Sequence, residues 1–225
     1  MKIDYLDRGV GIRTSIKSKL DKYVFLKVVK KISGYQKRPK RFLEFGPGRG
    51  DKFDMLEEVF GAFDQVVFID FDARVLEHLR KKYVGRKITF LHCSADKSIA
   101  NHGSFDLIIS SHVIEHLEMP RKHIENIRHL LSENGLAFVA SPNLTSVDAS
   151  RLGSRWRGYI DPTHINLMGV NCLKEMCIDE GLRVLKFGTS LYPRSAAEIM
   201  KFLVDFEFTF RDSGKGDSCS FLLRK

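Results

Sequence analysis

From residue 41 onward, short apolar runs alternate with segments in which apolar residues recur every three or four positions. Apolar runs of about four to eight residues indicate buried strands, whereas the three-to-four spacing indicates amphipathic helices. The pattern predicts strands at 41–45, 65–70, 88–93, 105–111, 135–142, 182–188 and 219–225. It predicts helices between them, at 51–60, 72–83, 121–132, 171–180 and near 194–204.

The alternation of strands and helices predicts an α/β fold built on a doubly wound sheet with right-handed crossovers. The strand FDLIISS (105–111) is nearly all apolar, which is typical of a central strand covered on both faces. A chain of 225 residues suits one large domain. The stretch 143–169 shows no long periodic pattern and exceeds an ordinary connection, so we expect it to carry function.

The composition is that of an ordinary soluble globular protein, with 43% hydrophobic and 29% charged residues. No apolar run approaches the roughly 18 residues of a membrane-spanning helix, and the N-terminus lacks the apolar core of a signal peptide. The four cysteines are scattered and show no zinc-binding spacing. We therefore expect free thiols, no metal site, no integral membrane segment and a cytoplasmic location.

The positive charge is concentrated at the N-terminus. Residues 1–40 contain 12 Lys or Arg against 3 Asp or Glu, whereas residues 41–225 contain 25 of each. Apolar residues recur at helical spacing among these lysines: Ile16, Leu20, Tyr23, Val24, Phe25 and Val28. Three interpretations compete: a cap helix over a substrate pocket, a patch that binds nucleic acid or anionic lipid, and a solvated helix face. Because a capping helix needs an apolar stripe, we assign residues 1–40 as a basic helical cap on a domain formed by 41–225.

A glycine-rich turn, LEFGPGRGD (43–51), follows the first predicted strand. Glycine at this density lets the backbone approach a ligand closely at the start of the next helix. A dinucleotide site needs G-x-G-x-x-G, but Gly46, Gly48 and Gly50 are spaced too closely, and no GK[ST] follows for a P-loop. Glu44 would also repel a pyrophosphate. The pattern favours a ligand with a cation near Glu44 and at most a carboxylate near the turn, such as an amino acid headgroup.

Four stretches in order resemble the motifs of class I S-adenosylmethionine-dependent methyltransferases. LEFGPGRGD resembles the family's acidic residue followed by GxGxG, and VVFIDFD places Asp70 at the end of the second strand. LHCSADKS places Asp96 after the third strand, and FDLIISSHVIEHLEMP is similar to the fourth motif of the small-molecule branch. The resemblance runs continuously over 41–142, and FLLRK resembles the closing strand. It implies a Rossmann-like, seven-stranded, mostly parallel sheet with an antiparallel last strand, helices on both faces, and S-adenosylmethionine as cofactor.

The resemblance also implies roles for individual residues. Glu44 meets the cofactor's ammonium, the glycine turn meets its carboxylate, and Asp70 accepts both ribose hydroxyls. Phe71 lies against the adenine ring, and Asp96 contacts the adenine amino group. The implied cofactor-binding set is Glu44, Gly46, Gly48, Gly50, Asp70, Phe71, Ala95, Asp96, Ser111 and His112. Structural roles stay open for three of them, since Glu44 can be a capping acid on a plain strand turn, Asp70 can cap the helix at 72–83, and Asp96 can cap a short helical turn.

The segment SRWRGYIDPTHINLMG (154–169) contains the single tryptophan of the chain and several polar side chains. It follows the fifth strand, so we expect the loop 143–169 on the acceptor side, at the carboxyl ends of the strands. It resembles a segment of methyltransferases that act on glycans and quinone precursors. Because imidazole titrates near neutrality, His164 is a candidate general base with Asp161 as its orienting residue, and His116 is a third catalytic candidate. Alternatively, Asp-Pro-Thr-His forms a turn whose side chains bond their own backbone.

The sequence thus predicts a methyltransferase that acts on a hydroxyl of a small molecule or glycan. One alternative is an RNA or protein methyltransferase that uses the basic N-terminal segment, although no RNA-binding module is visible. A second alternative is a non-catalytic protein that binds S-adenosylmethionine, since fold alone does not decide function.

Overall fold

The computed structural model describes residues 12–97, 99, 103–190 and 214–225. The strands are β1 (Arg41–Phe45), β2 (Gln65–Asp70), β3 (Ile88–His92), β4 (Phe105–Ser111), β5 (Leu131–Pro142), β6 (Arg183–Ser190) and β7 (Ser218–Arg224). The helices are α1 (Ile12–Tyr35), α2 (Asp51–Phe60), α3 (Ala73–Lys82), α4 (Pro120–Leu130), α5 (Val147–Leu152), α6 (Arg157–Ile160) and α7 (Val170–Asp179). Single 3-10 turns span Ile114–His116 and Gly153–Arg155. The helix predicted near 194–204 lies outside the described residues.

The described strands form a seven-stranded sheet in the order β3-β2-β1-β4-β5-β7-β6. The pairs β1–β2, β2–β3 and β4–β5 are parallel, whereas β7 runs antiparallel to both β5 and β6. Successive residues of β1, β2 and β4 are buried, so both faces of these strands are covered. The predicted mostly parallel sheet with an antiparallel last strand is confirmed.

The chain divides into two compact units, the first ending at Cys93 and the second beginning at Ser94. The core of the first unit contains an aromatic cluster. Its rings come from β1, α2 and β2 and from the residues that follow α2 and α3. Its rings contact one another at centroid distances of 5.0–6.5 Å: Phe42, Phe53, Phe63, Phe68 and Tyr83. Because aromatic pairs pack with defined geometry, this cluster fixes α2 and α3 against the strands and so positions the turn between β1 and α2.

Helix α1 packs on α2 within the first unit. Phe25, Val29 and Ile32 are buried, whereas Lys30 and Lys31 are exposed. Of the predicted apolar stripe, Val28 is buried as well as Phe25, and Lys27 between them is also buried. Ile16, Leu20, Tyr23 and Val24 lie outside the residues whose side chains are described. The role of residues 1–40 as a cap over a substrate stays a prediction. Neither α1 nor any other helix within the described ranges is long and apolar enough to span a membrane.

Short helices occupy much of the stretch 143–169 in the second unit. Helices α5 and α6 are six and four residues long, too short for a helical period to be visible in the sequence. Asn143 holds the stretch at its base. Its amide group donates to the carbonyls of Gly214 at 2.8 Å and Gly216 at 2.9 Å, and its side-chain oxygen accepts the N–H of Val170 at 3.1 Å. One side chain thus ties both ends of the stretch to the residues that precede β7.

Candidate functional site

Glu44, in β1, is a fully buried carboxylate without a hydrogen-bond donor. Neither of its oxygens accepts a hydrogen bond, and the Lys52 ammonium lies 3.9 Å from Oε1. Burial raises the pKa of Glu44 to about 8, although Lys52 acts in the opposite direction. Burial of a carboxylate that accepts no hydrogen bond is costly, so this position indicates a site for a cationic ligand group.

The three glycines of the turn after β1 all have positive φ, and the surroundings of Gly48 and Gly50 differ. The angle is 61° at Gly46, 55° at Gly48 and 78° at Gly50, a region that favours glycine. A Cβ on Gly50 would lie 2.3 Å from the Tyr83 hydroxyl, whereas a Cβ on Gly48 would meet no atom within 4 Å. The close approach at Gly50 is therefore to another segment of the chain, while the open space at Gly48 leaves room for a ligand.

Two side chains at the end of α3 hold this turn in place. The Tyr83 hydroxyl lies 2.7 Å from Asp54 Oδ1 and 3.1 Å from the Gly50 carbonyl. Lys82 donates to the Arg49 carbonyl and to Asp54 Oδ2, both at 2.7 Å. The sequence did not single out Tyr83 or Lys82, because α2, β2 and most of α3 separate them from the turn and they belong to no local motif.

Asp70 ends β2 and is 7% exposed. Its Oδ1 accepts the N–H of Asp72 at 2.8 Å, and burial raises its pKa to about 6. The N-cap of α3 is Asp72, whose side chain accepts the N–H of Arg74 at 3.0 Å. The alternative in which Asp70 caps this helix is therefore wrong. Phe71 follows with 64% of its surface exposed, which suits a ring that stacks on a ligand.

Asp96 lies in a turn at the start of the second unit and is buried. Its Oδ1 accepts the Ser94 hydroxyl at 2.5 Å, and its Oδ2 accepts the N–H of Met119 at 3.2 Å. Burial raises the pKa of Asp96, but these hydrogen bonds outweigh it and the pKa lies below its ordinary value. Asp96 is thus an ionised carboxylate with local partners, and its contact with adenine stays a prediction.

Helix α4 holds the same turn through two residues that sequence analysis did not identify. Asn126 donates to the carbonyls of Ala95 at 3.0 Å and Lys97 at 2.7 Å. His123 Nδ1 lies 3.1 Å from the Ala95 carbonyl, and its Nε2 lies 2.8 Å from the Ser110 hydroxyl. Burial lowers the pKa of His123 to about 4. His123 is accordingly a neutral histidine that supports the turn.

Strand β4 is followed by a residue in a strained conformation. His112, directly after Ser111, has φ of 57°, and no other non-glycine residue in the described ranges has positive φ. Its N–H donates to the Ala140 carbonyl at 2.8 Å, and its Nδ1 lies 3.1 Å from Glu115 Oε1. Backbone strain of this kind is often found at functional sites, and no sequence pattern predicts it.

Glu115, His116 and His164 form one cluster in the second unit. One donor atom from each lies within 4.8 Å of the other two, and the two imidazole centroids are 4.8 Å apart. Glu115 is fully buried, and its Oε2 accepts the Ser141 hydroxyl at 3.3 Å. Burial raises the pKa of Glu115, but the hydrogen bond with His112 outweighs it and the pKa lies below its ordinary value. The cluster therefore combines a buried negative charge with two imidazoles.

Hydrogen bonds fix the protonation of both imidazoles. His164 Nδ1 lies 2.7 Å from the Gly158 carbonyl, and His116 Nδ1 lies 3.1 Å from the Thr163 carbonyl. Because a carbonyl only accepts, both bonds require a proton on Nδ1. The Thr163 hydroxyl, 2.9 Å from His116 Nδ1, donates its own proton to Asp161 Oδ1 and is therefore an acceptor as well. In the neutral form of each ring the lone pair is then on Nε2. Burial lowers the pKa of His116 and so favours its neutral form.

The orienting role of Asp161 toward His164 stays a prediction. Asp161 Oδ1 accepts the N–H of Thr163 at 3.1 Å and its hydroxyl at 2.6 Å, while Oδ2 lies 3.9 Å from His164 Nε2. The other ring nitrogen of His164, Nδ1, bonds the Gly158 carbonyl. The bonds from Asp161 to Thr163 are those of the Asp-Pro-Thr turn, in which the aspartate side chain binds the residue two positions on. The predicted turn is thus present, and the catalytic role of His164 stays a prediction.

Residues 17–186 match a family model described as a methyltransferase domain. The chain belongs to the methyltransferase domain family. Within that family it is a class I, S-adenosylmethionine-dependent methyltransferase, and S-adenosylmethionine is its cofactor.

Similar curated proteins agree with this assignment. A "Probable S-adenosylmethionine-dependent methyltransferase" of Mycobacterium tuberculosis, present in two strains, is 25% identical over 139 residues. The alignment covers 62% of this chain and 47% of that protein. The chain thus spans about half the length of the curated relatives that it matches.

Solved structures share the fold of this methyltransferase. A SAM-dependent methyltransferase from Archaeoglobus fulgidus superposes with a TM-score of 0.62 at 19% identity, over 96% of this chain and all of that one (100%). The plantazolicin methyltransferase BpumL, solved with a monoazolic desmethylPZN analog and SAH, gives a TM-score of 0.65 at 14% identity. That alignment covers 94% of this chain and 86% of BpumL. At these identities the likeness concerns the fold alone.

Proposed function

We propose that this methyltransferase transfers the methyl group of S-adenosylmethionine to a hydroxyl of a small molecule or glycan. The main support for this proposal is that two imidazoles, those of His116 and His164, lie close together and each has its Nδ1 bonded to a carbonyl. A hydroxyl must lose its proton as its oxygen attacks, so it needs an activating group beside it. Two imidazoles that each have one nitrogen within 4.8 Å of the other and of an oxygen of the ionised Glu115 supply such a group.

In the first unit, Glu44 and Asp70 fit two parts of the cofactor. The ammonium of S-adenosylmethionine offers three donors and a positive charge to the buried Glu44 oxygens, which accept no other hydrogen bond. Asp70, at the end of β2, fits the two ribose hydroxyls, and the exposed ring of Phe71 fits the adenine face. The open space at Gly48 fits the carboxylate of the same headgroup.

In the second unit, we retain Ala95, Asp96, Ser111 and His112 as candidates for contact with the cofactor. Each Asp96 oxygen already accepts one hydrogen bond. Because a carboxylate oxygen has two lone pairs, Asp96 is still able to accept from the adenine amino group.

Methyl transfer is an in-line displacement in which the acceptor oxygen attacks the methyl carbon as the sulfur leaves. The cofactor supplies a methyl group on a positively charged sulfur. The protein holds the oxygen, carbon and sulfur in line and excludes water, an effect worth up to roughly 7–11 kcal/mol. The C–O bond forms as the C–S bond breaks, and the hydroxyl proton passes to His164, the candidate general base.

Replacement of His164 with Ala tests the acceptor side of this proposal. We expect kcat to fall by about 100-fold or more, because hydroxyl activation contributes this much or more, while affinity for S-adenosylhomocysteine stays within about twofold. The measurement is transfer of labelled methyl to a panel of phenols, catechols and nucleotide sugars, combined with calorimetry. His78→Ala, an exposed histidine on α3, is the control. Unchanged turnover with intact cofactor binding would remove His164 from the mechanism.

A second candidate function is methylation of RNA or protein. It is favoured by the exposed Lys22, Lys30 and Lys31 of α1. Binding of RNA that weakens steeply with salt would support it.

Turnover of labelled methyl onto any acceptor would eliminate a purely non-catalytic role. The cytoplasmic location inferred from the cysteines stays a prediction.

A further inference from the structure

We propose that Glu115, His116 and His164 bind one divalent transition-metal ion, of the class that includes Zn²⁺ and Co²⁺. One donor atom from each residue lies within 4.8 Å of the other two. Two imidazoles and a carboxylate are a ligand set suited to Zn²⁺ and its neighbours rather than to Mg²⁺ or Ca²⁺, which prefer oxygen. The site was not visible in the sequence, because His164 is remote from the Glu115-His116 pair along the chain.

The hydrogen bonds of His116 and His164 favour the tautomer that a metal bound through Nε2 requires. A histidine that binds a metal through Nε2 needs a proton on Nδ1, and that proton is usually given to a backbone carbonyl or a carboxylate. His164 makes this bond to the Gly158 carbonyl at 2.7 Å, and His116 makes it to the Thr163 carbonyl at 3.1 Å. Both rings are therefore already in the tautomer that a metal ligand requires.

The surroundings of the buried Glu115 carboxylate also favour a bound cation. Glu115 is fully buried, and the groups around its oxygens are a serine hydroxyl at 3.3 Å and the His112 ring at 3.1 Å. The Ser141 hydroxyl carries no charge, and the contact with His112 involves Oε1. A buried carboxylate of this kind is most favourable when it is paired with a cation or coordinates a metal. Each of its oxygens keeps a second lone pair for that bond.

The donor atoms of the three side chains lie close to the spacing that a tetrahedral ion requires. With bonds of about 2.1 Å, two ligands of a tetrahedral ion stand roughly 3.4 Å apart, compared with at most 4.8 Å for the donor atoms here. The difference corresponds to a movement of about 0.7 Å for each side chain, which small rotations of the imidazole and carboxylate groups provide. Three protein ligands leave at least one position open, as in catalytic rather than structural zinc sites.

The consequence for catalysis rests on the proposed function, whereas the binding itself does not. A hydroxyl that occupies the open position becomes more acidic, because the ion stabilises the oxyanion. In that case the imidazole pair activates the acceptor oxygen through the ion that it holds. The expectation of no metal, drawn from cysteine spacing, would then be revised.

Equilibrium dialysis of tag-free, chelator-treated protein against Zn²⁺ tests the site, with the bound metal measured by mass spectrometry. We expect one ion per chain in the wild type and at least about 100-fold weaker binding in His164→Ala and in Glu115→Gln. Loaded with Co²⁺, the wild type should show visible bands of a nitrogen- and oxygen-ligated ion, and these bands should be absent in both variants. The control His78→Ala should match the wild type, and calorimetry with S-adenosylhomocysteine verifies that each variant is folded.

The outcomes separate the two proposals. Equal Zn²⁺ binding in the wild type and His164→Ala, or no binding above that of surface histidines, overturns the metal site even if hydroxyls are methylated. Stoichiometric binding that both variants lose establishes the site even if no hydroxyl acceptor is found. In that second case the proposed function fails while the metal site stands.

Discussion

Replacement of Glu44 with Gln is expected to weaken binding of S-adenosylhomocysteine by about 100-fold at pH 8 and to stabilise the ligand-free protein. Gln keeps the size of the side chain but removes the charge that the ligand's ammonium needs; a charge-assisted pair of this kind is worth about 1.5–3 kcal/mol or more when buried. The carboxylate is fully buried, and neither oxygen accepts a hydrogen bond. The same residue therefore lowers stability and supports binding.

The pH dependence of this effect follows from the pKa of Glu44. The folded protein holds this proton up to a pKa of about 8, whereas the ordinary value is 4.5. Between these values the folded state binds more protons than the unfolded state, so the Glu44 contribution to the free energy of unfolding falls as pH rises. At roughly 1.4 kcal/mol per pH unit, the stability gained by Glu44→Gln should be about 2–3 kcal/mol larger at pH 9 than at pH 6.

Urea unfolding at pH 6 and pH 9, together with calorimetric titration of S-adenosylhomocysteine at pH 8, measures both effects. Glu58→Gln, an exposed change on α2, should alter neither stability nor affinity. An affinity of Glu44→Gln equal to that of the wild type would show that Glu44 does not meet the ammonium. A stability gain that is independent of pH would show that the carboxyl does not titrate in this range.

Asp70→Asn is expected to weaken the same ligand by about 30- to 300-fold and to abolish discrimination of the ribose. Asn retains an oxygen for the Asp72 N–H, which now bonds Oδ1 at 2.8 Å, so the local turn is preserved. It loses the charge and one acceptor that two ribose hydroxyls need. Removal of a charged hydrogen-bond acceptor from a buried site costs about 1.5–3 kcal/mol or more.

Comparison of S-adenosylhomocysteine with its 2′-deoxyribose analogue isolates this contact. The wild type should bind the natural ligand at least tenfold more tightly than the analogue, while Asp70→Asn should bind the two almost equally. Asp64→Asn, on the exposed residue before β2 whose side chain lies 3.9 Å from Lys40, is the control. If Asp70→Asn still discriminates as well as the wild type, the ribose hydroxyls are bound elsewhere.

The fold was accessible from the sequence wherever a pattern was long and local. The predicted bounds of β1, β2, β4 and α2 coincide with those observed, since each strand is a short apolar run and α2 shows helical spacing. The start of β5 was less accurate: it begins at Leu131 rather than 135, next to a register irregularity in its pairing with β4. Such irregularities depend on the neighbouring strand and leave no local trace.

Residues of the candidate site were likewise predictable from the sequence only where the pattern was local. Glu44 and Asp70 were predicted because each lies within a few residues of a strand end and a recognisable motif. Tyr83 and Asn126 support two of the turns by bonds to carbonyls about 30 positions away, a distance over which no sequence period operates. The proximity of His164 to Glu115 is of the same kind, since it arises from the path of the stretch 143–169. The strained backbone of His112 likewise follows from tertiary packing rather than from residue type.

The atom that accepts the methyl group can be identified by NMR, after transfer of a ¹³C-labelled methyl group from S-adenosylmethionine to a panel of hydroxyl, amine and thiol acceptors. We expect the wild type to form a product with the label on oxygen, and Glu44→Gln and His164→Ala to form it at least about 100-fold more slowly. A label found only on nitrogen, sulfur or carbon, or no transfer at all from a protein that binds the cofactor, would contradict this expectation.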